Sequence, residues 1–307
     1  MAATQSNKIK GTFGQWLSDR ILRAMIWTVL RFPLRTRLQI MGRFTSHVVA
    51  PIAGYRKRAM DNLAYIHPDM SATERRQIAD AVSDQFGRTF IEFYDLVGLM
   101  ARMSEIEIEG TGLKHIEQAH AEGRPVLLLT GHFGNYEAAR VALVARGYDV
   151  GGLFRRMSNP YFNAHYTANM RVVPGIPFEQ GRKGTIGLIR HLEKGGKAVI
   201  AHDVYDSRGV EIDFLGKPAP TLTSAADMAL RTNALLVPYF AVRQADGMSF
   251  RVFIEEPIEH GDPVDMIRDA TQRLEARIKD HPEQWFWIHR RWKPERQRKR
   301  APARTGP

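Results

Sequence analysis

Pro125-Val-Leu-Leu-Leu-Thr130-Gly131-His132-Phe133-Gly134-Asn135-Tyr136-Glu137 is the stretch on which the fold turns. Val126 to Leu129 is an unbroken apolar run between a proline and a glycine-bearing turn, and it reads as a buried strand. Gly131 to Asn135 makes the turn, and Tyr136 to Arg146 carries helical patterning. Strand, turn and helix in that order belong to an α/β sheet, where ligands gather at the carboxyl ends of strands.

A histidine just past a buried strand, with a glutamate five residues on, has a chemical use. His132 and Glu137 can face each other across the turn. The carboxylate would then hold one imidazole nitrogen and leave the other to take a proton from a hydroxyl. The flanking glycines would let a substrate approach the backbone. The same spacing also suits a structural histidine beside a glutamate favoured by the helix dipole. Spacing alone leaves both readings open. No Gly-x-Ser-x-Gly elbow, His-Glu-x-x-His, phosphate loop or dinucleotide fingerprint occurs.

Outward from this stretch the α/β rhythm continues. Strands are predicted at 148–154, 197–202, 235–242 and 249–254, the last two joined by an Ala245-Asp246-Gly247 turn. Helices are predicted at 185–194, 221–232 and 263–279. Upstream, 55–102 reads as helices, one opened by the capping box Ser71-Ala-Thr-Glu74. The expected fold class is α/β, a mixed central sheet flanked by helices with a helical N-terminal segment.

Charge divides the 307 residues further. Residues 1–60 hold eleven Lys/Arg and one acid, and 289–307 hold eight and one, so the ends carry +10 and +7 while the middle is net −6. Basic ends suit an anionic surface, either nucleic acid or phospholipid headgroups. Phe13, Trp16, Leu17, Ile21, Met25 and Thr28 recur at helical spacing, but Arg20 and Arg23 interrupt a run too short to span a bilayer. No cleavable signal peptide is recognisable. A basic, tryptophan-bearing helix of this kind is expected to lie in a membrane interface, the alternative being a helix packed on the protein's own core. The expected organisation is a basic membrane-associating segment (1–50), a catalytic domain (51–295) and a basic flexible tail (296–307). With no cysteine in the chain, disulfides, thiolate metal sites and a cysteine nucleophile are excluded.

His132-x-x-x-x-Glu137 resembles the dyad of the glycerolipid acyltransferase superfamily. Its companions narrow the likeness: Arg56 to Pro68, Phe154-Arg155-Arg156-Met-Ser-Asn159-Pro160, Ala201-His202-Asp203, Gly209 to Thr221, and Pro282-Glu-Gln-Trp285-Phe-Trp287-Ile-His289-Arg290-Arg291-Trp292-Lys293. Together they resemble, in order from about residue 15 to 295, the late (lauroyl/myristoyl-type) acyltransferases of lipid A biosynthesis.

The resemblance implies transfer of a fatty acyl chain from acyl carrier protein to a hydroxyl on a primary acyl chain of a lipid A precursor, at the cytoplasmic face of the inner membrane, held there peripherally or by a single N-terminal anchor. It implies His132 as general base and Glu137 as its orienting partner, with no acyl-enzyme, metal or cofactor. Arg155 and Arg171 become candidates for oxyanion or phosphate contacts, and Asp203 for positioning an arginine or substrate. Arg290, Arg291 and Lys293, beside Trp285, Trp287 and Trp292, become candidate acceptor or membrane contacts. The expected partners are the carrier protein, the lipid A precursor and inner-membrane lipids, with no nucleic acid. A glycerolipid, ornithine lipid or mannolipid acceptor is the enzymatic alternative. A nucleic-acid-binding protein using its basic ends is the non-enzymatic one.

Overall fold

Side chains of a strand point alternately to opposite faces, so a run without polar residues must be covered on both sides. The computed structural model, which describes residues 9–293, meets this demand with a sheet between two helical layers. The helical N-terminal part comprises α1 (Phe13–Val29), α2 (Leu34–Phe44), a π-helical turn (Thr45–Val49), α3 (Ala50–Ile52), α4 (Tyr55–Ile66), α5 (Ala72–Phe93) and α6 (Leu96–Met103). There follow β1 (Ile108–Glu109), α7 (Gly112–Ala121), β2 (Val126–Thr130), α8 (Tyr136–Val144), β3 (Val150–Phe154), α9 (Pro160–Met170), β4 (Pro177–Glu179), α10 (Arg182–Leu192) and β5 (Lys197–Ala201). The chain continues through β6 (Val210–Phe214), β7 (Lys217–Thr221), α11 (Ser224–Thr232), β8 (Leu235–Arg243), β9 (Phe250–Ile254) and α12 (Pro263–Asp280) to a 3-10 turn at Pro282–Gln284. The expected basic tail at 296–307 lies outside the described residues.

Seven strands form the sheet in the order β1-β9-β8-β2-β5-β3-β4. Every pairing is parallel except β8 with β9, so the sheet is mixed but mostly parallel. Val126 and Leu128 join a core with α1, α2, α5, α6 and α8 on one face. Leu127 and Leu129 join the core with α10, α11 and α12 on the other. β6 and β7 form a separate hairpin. Its turn puts Leu215 and Gly216 at positive φ, and Glu275 accepts a 2.7 Å hydrogen bond from the Leu215 N–H.

Helix α1 is amphipathic in the unusual sense. Asp19, Ile26 and Val29 face inward, while Phe13, Trp16, Leu17, Ile21 and Trp27 form an exposed stripe. Arg31 stacks on Trp27 at 4.5 Å and Arg20 lies over Trp16 at 5.6 Å. Among the described residues no helix is long and apolar enough to cross a membrane.

Candidate active site

His132 stands just beyond the carboxyl end of β2, and Asp203 just beyond that of its parallel neighbour β5, where Thr130 pairs with Ala201. Their equal offsets from adjacent strand ends bring the two together. Asp203 Oδ1 lies 2.8 Å from His132 Nδ1, and Oδ2 accepts from the His132 backbone N–H at 2.8 Å and from Trp285 Nε1 at 2.9 Å. The carboxylate is fully enclosed, whereas 34% of the imidazole side chain remains accessible. With Nδ1–H given to Asp203, Nε2 is left as the proton acceptor.

Burial works against charge on His132, but the charge and hydrogen bond of Asp203 outweigh it and lift the imidazole above its ordinary 6.5. Burial would raise the Asp203 carboxyl; His132 and its hydrogen bond, then His289 and His202, hold it well below the usual carboxylate range. His289 packs edge-on against His132 with ring centroids 4.5 Å apart, and burial followed by repulsion from His132 brings it down to about 3. His289 is therefore neutral near pH 7. His132, Asp203 and His289 are also a group whose donor atoms could hold a metal ion, although both Asp203 oxygens are already engaged.

The structure departs here from the spacing argument. Glu137 does not hold His132; it is buried in the first turn of α8 and pairs with Arg140, one turn further along the same face. Arg140 Nε donates to Glu137 Oε1 at 2.7 Å, and Nη1 donates to the carbonyls of Val150 and Pro174. Asn135 caps α8 by accepting from the N–H groups of Glu137 and Ala138. The glycines serve packing within the protein. A Cβ at Gly134, which has φ 54°, would lie 1.9 Å from the Ala241 carbonyl, and one at Gly131 would lie 2.6 Å from Leu274. Both let the turn sit close against its own neighbours.

The segment 282–293 straps the site together. Gln284 O accepts from Gly134 N–H at 2.8 Å, and Phe286 N–H donates to His132 O at 2.9 Å. Asn62 Nδ2 donates to the carbonyls of Trp287 and His289, both at 2.7 Å. Trp285 and Trp287 are completely buried and belong to the core. Arg291 is buried as well. It donates to Pro220 O at 2.7 Å and to Thr221 Oγ1, and burial draws its guanidinium down to about 10, still charged at neutral pH. This corrects the expectation of an acceptor or membrane contact at Arg291: the guanidinium ties the strap to the β7 end. Arg290 is exposed, and Lys293 Nζ lies 3.8 Å from the Tyr205 ring centroid.

A cavity of about 460 Å³ opens from His132 across the sheet, lined by Tyr136, Glu137, Arg140, Phe154, Tyr166 and Met170 among others. Arg155 and Arg156 line it too, both largely exposed. A second, of about 160 Å³, shares Phe86, His132, Tyr136, Met157 and Tyr166. Burial, then the Glu137 charge, pushes the Tyr136 phenol up to about 12, so it stays a neutral donor beside His132. Arg171 lines neither cavity; it caps α9 and is exposed. Asp203 thus makes the contact to His132 Nδ1 that was expected of Glu137. Two parallel strands ending in Thr130-Gly-His132 and Ala201-His-Asp203 were the signal that could have found it.

A sequence profile described as bacterial lipid A biosynthesis acyltransferase matches residues 5–294. The chain belongs to this family. It is an O-acyltransferase. The chain is 24% identical over 279 residues to a Haemophilus influenzae lipid A biosynthesis acyltransferase, covering 90% of this chain and 86% of that one. It is 28% identical over 246 residues to the Escherichia coli K12 lipid A biosynthesis lauroyltransferase, covering 76% and 77%. A Mycobacterium tuberculosis phosphatidylinositol mannoside acyltransferase is 22% identical over 218 residues, 68% of each chain.

Proposed function

We propose that this acyltransferase moves a fatty acyl chain from the thioester of acyl carrier protein to a hydroxyl on a primary acyl chain of a lipid A precursor. His132 is the general base and Asp203 its orienting carboxylate. The observation that carries this reading is the accessible His132 imidazole, tied through Nδ1 to a buried carboxylate and lining a largely apolar cavity. Nε2 takes the hydroxyl proton as the oxygen attacks the thioester carbonyl. The tetrahedral intermediate collapses with cleavage of the C–S bond, and the imidazolium returns its proton to the thiolate. The products are an ester and the free carrier thiol. Arg155, which lines the cavity and is exposed, is the candidate for the oxyanion or a substrate phosphate. Exposed Arg171 and Arg290 add positive surface for the acidic carrier or the acceptor's phosphates. Glu137 acts through Arg140 on the cavity wall.

Mass spectrometry of products tests the reading. With carrier protein bearing chains of about twelve to sixteen carbons and a lipid A precursor, the acceptor gains one acyl mass. Product on a glycerolipid or a phosphatidylinositol mannoside alone would replace the acceptor. No product on any of these lipids would overturn the reading.

The outward apolar stripe of α1 supports placing the enzyme at the cytoplasmic surface of the inner membrane. A helix that turned this face inward would serve the core; this one offers Phe13, Ile21 and Trp27 to an interface, with Arg20 and Arg31 beside the tryptophans to meet anionic headgroups. The Trp16→Ser/Trp27→Ser double variant is expected to co-sediment several-fold less with vesicles containing phosphatidylglycerol. Equal sedimentation with the wild type would remove α1 from the membrane.

A further inference from the structure

Strand β3 reads Val150-Gly151-Gly152-Leu153-Phe154, and glycine is a poor strand residue because it packs nothing and loses much entropy on folding. Two in succession need a reason. Gly151 has one within the protein: a Cβ there would lie 2.7 Å from the Ile176 carbonyl and 3.1 Å from the Phe178 ring. Gly152 has none. It is not among the glycines at positive φ, and a Cβ built on it meets nothing within 4 Å. Yet it lines the 460 Å³ cavity, so any side chain at this position would enter that space.

Its distance from the His132 end follows from the strand register. Thr130 pairs with Ala201, Val199 lies two residues back along β5, and Val199 pairs with Gly152. Two interstrand steps of ~4.8 Å and two residues at ~3.3 Å put Gly152 about 12 Å from Thr130, across the sheet from the His132 end. On its other side Gly152 pairs with Pro177. Val150, Val199, Ile176 and Pro177 all line the cavity and give it an apolar wall around Gly152.

We infer that Gly152 sets the length of acyl chain this enzyme accepts, its missing side chain keeping open the passage for the far end of the donor's saturated tail. The inference rests on the acyl-transfer reading and names the residue that measures the donor. A side chain at 152 takes volume from the part of the cavity across the sheet from His132 and leaves the end beside His132 as it is. It therefore selects by length.

A graded series, Gly152→Ala, Gly152→Val and Gly152→Leu, tests this, with thermal melting to establish folding. Displacement of a fluorescent fatty acid by saturated fatty acids of about six to sixteen carbons reads the cavity without chemistry. Competition between carrier proteins bearing short and long chains reads transfer. The longest chain bound becomes shorter in the order Ala, Val, Leu, and the short-over-long ratio of kcat/KM rises by about 10–100-fold in Gly152→Leu. An unchanged length profile in the folded variants, a uniform loss at all lengths, or no fatty-acid binding by the wild type would overturn the inference. If Leu prevents folding, Ala and Val decide. A binding profile that shifts while the wild type transfers nothing would reject the acyl-transfer reading and leave the length limit standing.

Discussion

His132→Ala lowers transfer by about 10²–10⁴-fold, the usual worth of a positioned general base. The fold should survive, because the imidazole is partly exposed and its backbone ties to Asp203 and Phe286 remain. The pH dependence of the wild type checks the same assignment. The base works when neutral, and its imidazole is raised above 6.5. The rate kcat/KM is therefore low at acid pH and climbs through a value above 6.5. A rise centred below 6.5, or an alanine variant of undiminished rate, would remove His132 from the base's role.

Asp203→Asn is the second large effect, about 10²–10⁴-fold. Two causes combine. Aspartate offers two acceptor oxygens to three donors, whereas asparagine has one acceptor and turns its NH₂ toward a donor. Nδ1 also loses the partner that fixes the tautomer. Removing the negative charge lets the imidazole fall, so the inflection of the residual activity moves to lower pH. Glu137→Gln gives a contrasting signature. It leaves the Arg140 guanidinium buried and uncompensated, at a cost of about 3–5 kcal/mol in stability, and any loss of rate comes with the inflection unmoved. If Glu137→Gln shifts the inflection and Asp203→Asn does not, the orienting carboxylate returns to Glu137.

That exchange of partners marks what one sequence can and cannot disclose. The strands at 126–130, 197–201, 235–243 and 250–254 were legible because buried apolar runs and alternation are local signals. The Ser71 capping box is realised with both reciprocal bonds. Asp203 was legible as a strand-end acid. Its meeting with His132, 71 residues away, depends on β5 adding beside β2, which periodicity does not specify. Glu137 is the partner that the resemblance implies, and spacing, which pairs only near neighbours, leaves it open. Helix α9 passed unread although Asn159 and Pro160 announce its start, as cap and first residue. The β6–β7 hairpin turns on Leu215-Gly216 with leucine at positive φ, a residue that gives no turn signal. Arg291 reads as an acceptor or membrane contact because charge is visible in sequence and burial among the Trp-rich core is not.

The strap at 282–293 has a consequence for the order in which the enzyme becomes competent. Every strand of the sheet lies before residue 255, and base and carboxylate with it. The fastening of the carboxylate by Trp285, and of the base's own carbonyl by Phe286, comes later in the chain. During vectorial synthesis, ribosomes therefore deliver the reactive groups well ahead of the residues that align them. A polypeptide clipped ahead of Pro282 carries base and carboxylate in its sequence but has neither the Trp285 nor the Phe286 contact that aligns them. Alignment of base and carboxylate thus waits on a segment translated after every strand of the sheet.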